Sequence, residues 1–356
     1  MTSLRDADIV TGPAGTGEEG GGPAKMRPTM TDVASAAGVS LKTVSRVVNA
    51  ETGVGPETAL SVQKAIAELG YRRNEQARAL RAGRRSRLIG LVTKDVSNPF
   101  YSAIERGVEE EVRERGLLVV ASSSDEDPAR ERLLLEVLCE RRVAGLLVVP
   151  TGTDHGYLAS EVAHGTVVAF IDRPPRDLVA DSIVLDNAGG ARRAVAHLLA
   201  HGHRRVAHVG DLPGVFTTSE RLRGYREALG SAGLPVDKTL VRLGCHDIAS
   251  AEAAMRDLLA LPQPPTAVLA GNNRLTFGVL RAMASLRRRP ALVGFDDFEL
   301  AALLAPPVSV VAYDAVELGR LSARMICERL DGAVGPPRQV VVPVEIVARG
   351  SGEMAP

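Results

Sequence analysis

At 356 residues, with 45% hydrophobic and 24% charged side chains, the chain has material for two or three globular units of ordinary soluble composition. No apolar run approaches the roughly 18 residues that a membrane-spanning helix needs. Basic and acidic residues balance at 43 each, yet between Lys25 and Arg87 twelve bases face five acids, so a small basic module is joined to a mildly acidic body, as expected when only the module meets a polyanion.

Residues 1–27 are acidic and glycine-rich ("TGPAGTGEEGGGPAK") without a hydrophobic signal core. They read as a disordered tail, and the chain is expected in the cytoplasm. Cys139, Cys245 and Cys327 are far apart and odd in number. They form neither a disulfide framework nor a zinc pattern and are expected to be small buried hydrophobes.

The stretch "TMTDVASAAGVSLKTVSRVV", Thr29 to Val48, predicts two short helices. Thr31 is a candidate N-cap for the first, which carries Val33, Ala34 and Ala37 and ends at Gly38. Val39 lies in the turn and Ser40 caps the second helix. There Val44, Val47 and Val48 share one face, while Leu41, Lys42, Thr43, Ser45 and Arg46 fall largely on the other. Two helices this small on so short a turn match a helix-turn-helix, whose second helix offers its N-terminal side chains to base edges in the major groove. A third helix follows in "GPETALSVQKAIAELGY", with Pro56 in its first turn, Val62, Ile66 and Leu69 on one face and Gly70 at its end. The arginine-dense run "RRNEQARALRAGRRSR" has too few apolar residues to fold alone.

From Thr29 to Arg87 and on through "LIGLVTKDVSNPFY", these residues resemble the lac and galactose repressor family of bacterial transcription factors, and the likeness extends over almost the whole chain after residue 28. The resemblance implies a helix-turn-helix domain over 28–73 and a hinge helix over 74–87 that orders on the operator. It places Ala77 and Leu80 in that helix, with Leu80 as a wedge in a central minor-groove step, where unstacking costs a few kcal/mol that added contacts recover. It also matches Leu41, Lys42 and Arg46 to base-reading positions, and Thr29, Thr43, Ser45, Asn49 and Tyr71 to positions at phosphates or the duplex rim. Arginine suits such a role because it bonds guanine bidentately. Gly55, Ala59 and Ser61 depart from the serine and basic residues that relatives often carry.

From Leu88 onward, "LIGLV", "GLLVVAS", "VAGLLVV", "TVVAFI", "RRVAHVG", "TAVLA" and "PALVGF" read as buried parallel strands separated by amphipathic helices. The pattern predicts a doubly wound α/β body in two similar lobes, with ligands in the crevice beyond the carboxyl ends of the strands. The resemblance implies a periplasmic-binding-protein-like sensor whose chain crosses between lobes three times, roughly 88–188 with 314–334, and 189–313 with 335–356. Polar strand-end residues are the effector candidates: Asn98, Phe100 and Tyr101 after the first strand, Asp172 and Arg173 after the fourth, then Arg221, Asn272 and Asp296. Carboxylates, an arginine fork and an amide suit the paired hydroxyls of a sugar or nucleoside. Asn273 stands where the family usually has aspartate, and there is no tryptophan, so ring stacking falls to phenylalanine or tyrosine.

No dinucleotide fingerprint, P-loop, HExxH motif or nucleophile elbow argues for an enzyme. His197, His201, His203 and His208 span a helix, a turn and a strand, which does not suit convergence on zinc. No cofactor or metal is expected. The alternative is a sugar-binding protein without a regulatory role, which gives no reason for the helix-turn-helix. The expected partners are therefore a pseudo-palindromic operator duplex, a small effector and a second copy in a homodimer, since no leucine heptads suggest a tetramer.

Overall fold

The computed structural model describes residues 28–72, 86–152 and 154–356. It divides into two units, Met1–Ala82 and Gly83–Pro356. The hinge segment's Ala77 and Leu80 lie outside the described residues.

In the first unit, α1 (Met30–Ala37), α2 (Leu41–Val48) and α3 (Pro56–Leu69) enclose Val33, Ala34, Val44, Val62 and Ala65. The N-cap of α1 is Thr29 and not Thr31. Thr29 Oγ1 accepts the Asp32 N–H at 3.4 Å while Asp32 Oδ2 accepts the Thr29 N–H at 2.7 Å. This reciprocal box needs an accepting side chain three residues past the cap, and Thr31 has Ala34 there. Gly38 ends α1 at φ 65°, a left-handed conformation that glycine adopts without penalty. Ser40 Oγ then accepts the Thr43 N–H at 3.1 Å and starts α2. Leu69 lies on the same face as Val62, Ala65 and Ile66, but as the last residue of α3 it is 37% exposed. Removing the α2 cap by Ser40→Ala costs about 1 kcal/mol. Hydrogen exchange on the full chain checks this, as faster exchange of α2 amides with body amides unchanged.

The second unit runs β1 (Leu88–Thr93), α4 (Pro99–Arg113), β2 (Leu118–Ser123), α5 (Pro128–Glu140), β3 (Gly145–Val148), α6 (Ala159–Ala163), β4 (Val167–Ile171) and β5 (Asp181–Leu185). It continues with α7 (Asn187–Ala200), β6 (Val206–Val209), α8 (Phe216–Ser231), β7 (Val241–Arg242), α9 (Ile248–Leu259), β8 (Ala267–Ala270), α10 (Asn273–Met283) and β9 (Ala291–Phe295). It closes with β10 (Ser309–Ala312), α11 (Ala315–Leu330), β11 (Gln339–Val342) and β12 (Glu345–Val347). Each run read as a strand forms one. The short strands β5, β7, β10, β11 and β12 were not legible as separate strands. Nor is every strand buried: β2 is an edge, with Leu118 66% exposed.

Two six-stranded sheets result, ordered β11-β5-β4-β3-β1-β2 and β12-β10-β9-β8-β6-β7. The two orders are the same pattern used twice. All pairings are parallel except β10 with β12, which is antiparallel and joins two strands the sequence did not reveal; the seven runs read as parallel strands all pair in parallel. The segment 335–356, expected as a piece of the second lobe, is split: β11 pairs with β5 in the first sheet and β12 with β10 in the second. The first crossing falls at Asp186, before α7, because α7 packs against the second sheet. Helices α4 and α11 cover the first sheet and meet at glycines: a Cβ on Gly107 would sit 1.9 Å from the Val316 carbonyl oxygen, so only a bare backbone permits this approach.

Candidate functional site

On α2, Leu41 is 51% exposed, Lys42 is also exposed, and Thr43, Ser45 and Arg46 are partly buried, opposite the fully buried Val44. The valine repeat fixes the helix to the core, which leaves its first turn and the Arg46 face to solvent. Other residues matched to DNA contacts have structural duties too. Thr29 caps α1, Tyr71 packs against the helical core, and Asn49 caps the end of α2 with its amide on Ser45 Oγ at 3.4 Å and Glu51 Oε1 at 3.1 Å.

In the body, Asn98, Phe100, Tyr101, Asp172, Arg173, Arg221, Asn272 and Asp296 all line one interlobe cavity of about 40 Å³. The repeated strand order explains their convergence. Asp172 follows β4 and Asp296 follows β9, the equivalent strand of the other sheet, and both adopt left-handed backbone, at φ 68° and 71°. Their N–H groups bond the neighbouring strand, Asp172 to the Ile183 carbonyl at 2.8 Å and Asp296 to the Val311 carbonyl at 3.0 Å. Each kink turns the chain out of its sheet with the carboxylate at the strand's end. Such conformations cost a non-glycine residue about 1–3 kcal/mol and cluster at functional sites.

Around Asp296 the hydrogen bonding is dense. Tyr313 donates its hydroxyl to Oδ1 at 2.7 Å, and the Asn273 N–H donates to Oδ2 at 3.2 Å. Arg221 stands 3.8 Å from Asp296, donates to Asn187 Oδ1 at 2.8 Å and to the Gly271 carbonyl, and lies 3.7 Å over the Phe295 ring. Lys94 joins Glu126 at 3.1 Å to Asp211 at 3.2 Å. Asp211 in turn accepts from Asn272 Nδ2 at 3.0 Å. Arg173 bonds Glu126 and the Pro150 carbonyl, and Arg274 pairs with Asp95. Each of these four cations is thus engaged by a carboxylate, an amide or a carbonyl. Asp172 differs: its Oδ1 and the Nε of Arg173 are buried without a hydrogen-bond partner, and the 3.7 Å ion pair from that Nε to Asp172 Oδ2 is too long for one. An acceptor beside a donor suits neighbouring hydroxyl groups of a ligand.

Burial pushes the Asp172 carboxyl above its ordinary value, against the pull of Arg173 and Arg221, with Asp296 and Glu126 pushing the same way as burial. A raised folded value makes this group's contribution favourable at acid pH and lost as the pH rises through that value. Asp172→Asn removes the cost of ionisation. It raises the melting temperature at pH 7.5, with a gain over wild type that shrinks as the buffer is acidified; a gain independent of pH would contradict this origin.

Lys94, Asp95, Asp211, Thr217, His246 and Arg274 also line the cavity and were missed. Lys94, Asp95 and Asp211 follow β1 and β6 directly, so the strand-end rule could have found them. Tyr313 and Asn187 follow β10 and β5, strands the sequence did not reveal. The histidines go elsewhere: His203 bonds Thr266 Oγ1 at 2.9 Å and the Met354 carbonyl at 2.8 Å, and His197 bonds Glu353. Burial holds His208 neutral, its value pushed down to about 4. Cys245 and Cys327 are buried, but Cys139 is only partly so, a correction explained by its place at the end of α5.

A helix-turn-helix with an exposed second helix, followed in the same chain by a two-lobed α/β body with a polar interlobe cavity, defines a DNA-reading regulator with a small-molecule sensor. Comparison with known proteins agrees. The model of bacterial regulatory proteins, lacI family, matches residues 29–74, and that of the periplasmic binding protein-like domain matches residues 195–352. The HTH-type transcriptional regulator CelR of Thermobifida fusca is 35% identical over 340 residues, 92% of this chain and 99% of that one. A solved CelR–cellobiose complex superposes with a TM-score of 0.68 at 33% identity, covering 91% of this chain and 100% of the other. The lac repressor dimer bound to operator and an anti-inducer gives a TM-score of 0.75 at 28% identity, covering 92% and 99%. The chain belongs to the lacI family of bacterial regulatory proteins.

Proposed function

We propose that the chain is a homodimeric, cytoplasmic transcriptional repressor, and not an enzyme, whose hold on an operator is tuned by a neutral, hydroxyl-rich effector of the sugar or nucleoside type. The observation that carries this reading is the joint presence of the outward-facing α2 and the inward-facing Asp172/Arg173 and Asp296/Arg221 groups on one polypeptide. Lys42 and Arg46, with Leu41, read bases; Thr29, Thr43, Ser45, Asn49 and Tyr71 contact the backbone rim. Residues 74–87 serve as the hinge, Ala77 and Leu80 ordering across the operator centre. Two copies then read half-sites about 34–36 Å apart. Effector binding changes the lobe angle, and a coupling of about 1–3 kcal/mol gives a 5- to 150-fold change in operator affinity. The engaged cations argue against a phosphorylated or carboxylated effector, which needs a free positive charge.

The test is an electrophoretic shift with genomic fragments at rising salt. A small subset of fragments stays bound at salt that releases the rest. Equal, weak retention of every fragment favours a binding protein without a regulatory role, because nonspecific phosphate contacts alone are erased by salt.

A further inference from the structure

The outer end of the cleft is bridged by side chains from opposite lobes. Asp95, in the loop leaving β1, is fixed by its own turn: Oδ1 accepts the Ser97 N–H at 2.8 Å and its carbonyl accepts the Asn98 N–H at 3.0 Å. Its other oxygen, Oδ2, takes Arg274 Nη2 from the first turn of α10, and the same nitrogen donates to Ser97 Oγ at 2.9 Å. Behind this bridge Asn98 and Asn273 exchange amide hydrogen bonds, Asn273 Nδ2 to Asn98 Oδ1 at 2.8 Å and Asn98 Nδ2 to Asn273 Oδ1 at 3.3 Å. Both amides are held by capping bonds of their own, to the Phe100 and Arg274 N–H groups. Asparagine at 273, where the family resemblance leads one to expect aspartate, is what allows the exchange: a carboxylate could accept from Asn98 but could not donate in return.

Exposure orders the cleft from mouth to floor. The side chains of Arg274 and Asp95 are 33% and 29% exposed, against 4% for Asp172 and 9% for Asp296. A ligand ring held by the floor carboxylates therefore lies inside the bridge, and a ring linked to it on the Asp95–Arg274 side must pass between these two side chains. The enclosed 40 Å³ is room for only a few waters, so the lobes part to admit even one ring. After one ring the bridge can re-form. A second ring through the mouth would keep it and the amide pair apart.

Resting on the effector reading above, we propose that the Arg274–Asp95 bridge, backed by the Asn98–Asn273 amide pair, ends the binding site after one sugar ring, so that the effector is a free monosaccharide. The likeness to a regulator solved with cellobiose thus extends to the fold and not to ligand length.

Calorimetric titration and thermal shift of the full chain test this with D-ribose, D-glucose and D-galactose against cellobiose, maltose and lactose, plus D-ribose 5-phosphate and adenosine. The wild type binds at least one monosaccharide roughly tenfold or more tighter than any disaccharide, a preference of about 1.4 kcal/mol. In Arg274→Ala and in Asp95→Ala that preference falls to about threefold or less, with Arg274→Gln in between because it keeps reach without charge. The proposal is overturned if the wild type takes a disaccharide, the phosphate or adenosine as tightly as its best monosaccharide, or responds to no monosaccharide. It is equally overturned if both alanine variants keep the wild-type ratio. Operator retention of the wild type in the same preparation shows separately whether the regulatory reading stands.

Discussion

Arg221→Ala is expected to abolish effector binding and to cost the body about 3–5 kcal/mol, the penalty for removing one partner of a buried charge pair. Its side chain is 8% exposed and holds together Asn187 at the first crossing, the Gly271 carbonyl at the end of β8 and Asp296 at the end of β9. Loss of the guanidinium takes a donor from Asn187 Oδ1 and the Gly271 carbonyl, removes the cation beside Asp296 and uncovers the Phe295 face. Titration with the tightest-binding saccharide of the wild type should give no heat, and urea unfolding should show the lower midpoint. Arg221→Lys separates the two effects. It restores charge and part of the stability but not the planar fork that reaches two acceptors at once, so binding stays weak. An alanine variant that answers to the same sugar concentration as wild type would remove Arg221 from the site.

Arg46→Ala is expected to weaken specific operator binding by about 1–3 kcal/mol, the value of one bidentate arginine–guanine contact, and to relax preference at a single base pair of each half-site. Because α2 is anchored through Val44, which is fully buried, rather than through Arg46, the helix keeps its place. Binding to unrelated duplex falls far less. Titration of operator and scrambled duplex at two salt concentrations reads both quantities. An equal fall on both would make Arg46 a phosphate contact.

How much of this was legible before folding depends on the range of the interactions. In the first unit, Ser40, Gly38, Gly70 and Pro56 announce helix ends through contacts a few residues away, and the headpiece is readable almost whole. Thr29 was missed as a cap although the rule that finds it, an acid three residues on, was available at Asp32. In the body, seven strands were visible as apolar runs. β5 and β10 were not, since each opens on polar residues, Asp181 and Ser182 or Ser309, and gains its identity from neighbours placed on either side in the sheet. With them went Asn187 and Tyr313, which stand at their ends.

The sequence by itself determined the order of units, the two-helix reading element and the chemical types gathered at strand ends, because local periodicity, capping and turn chemistry act within a few residues. Only the tertiary structure decided that Asp172 and Asp296 occupy equivalent kinks in two sheets, that β11 returns to the first sheet while β12 stays with the second, and that Arg274 reaches Asp95 across the cleft. Those relations join residues 33 to 179 positions apart, and such partners are brought together by sheet pairing and lobe packing, which no short window of the chain contains.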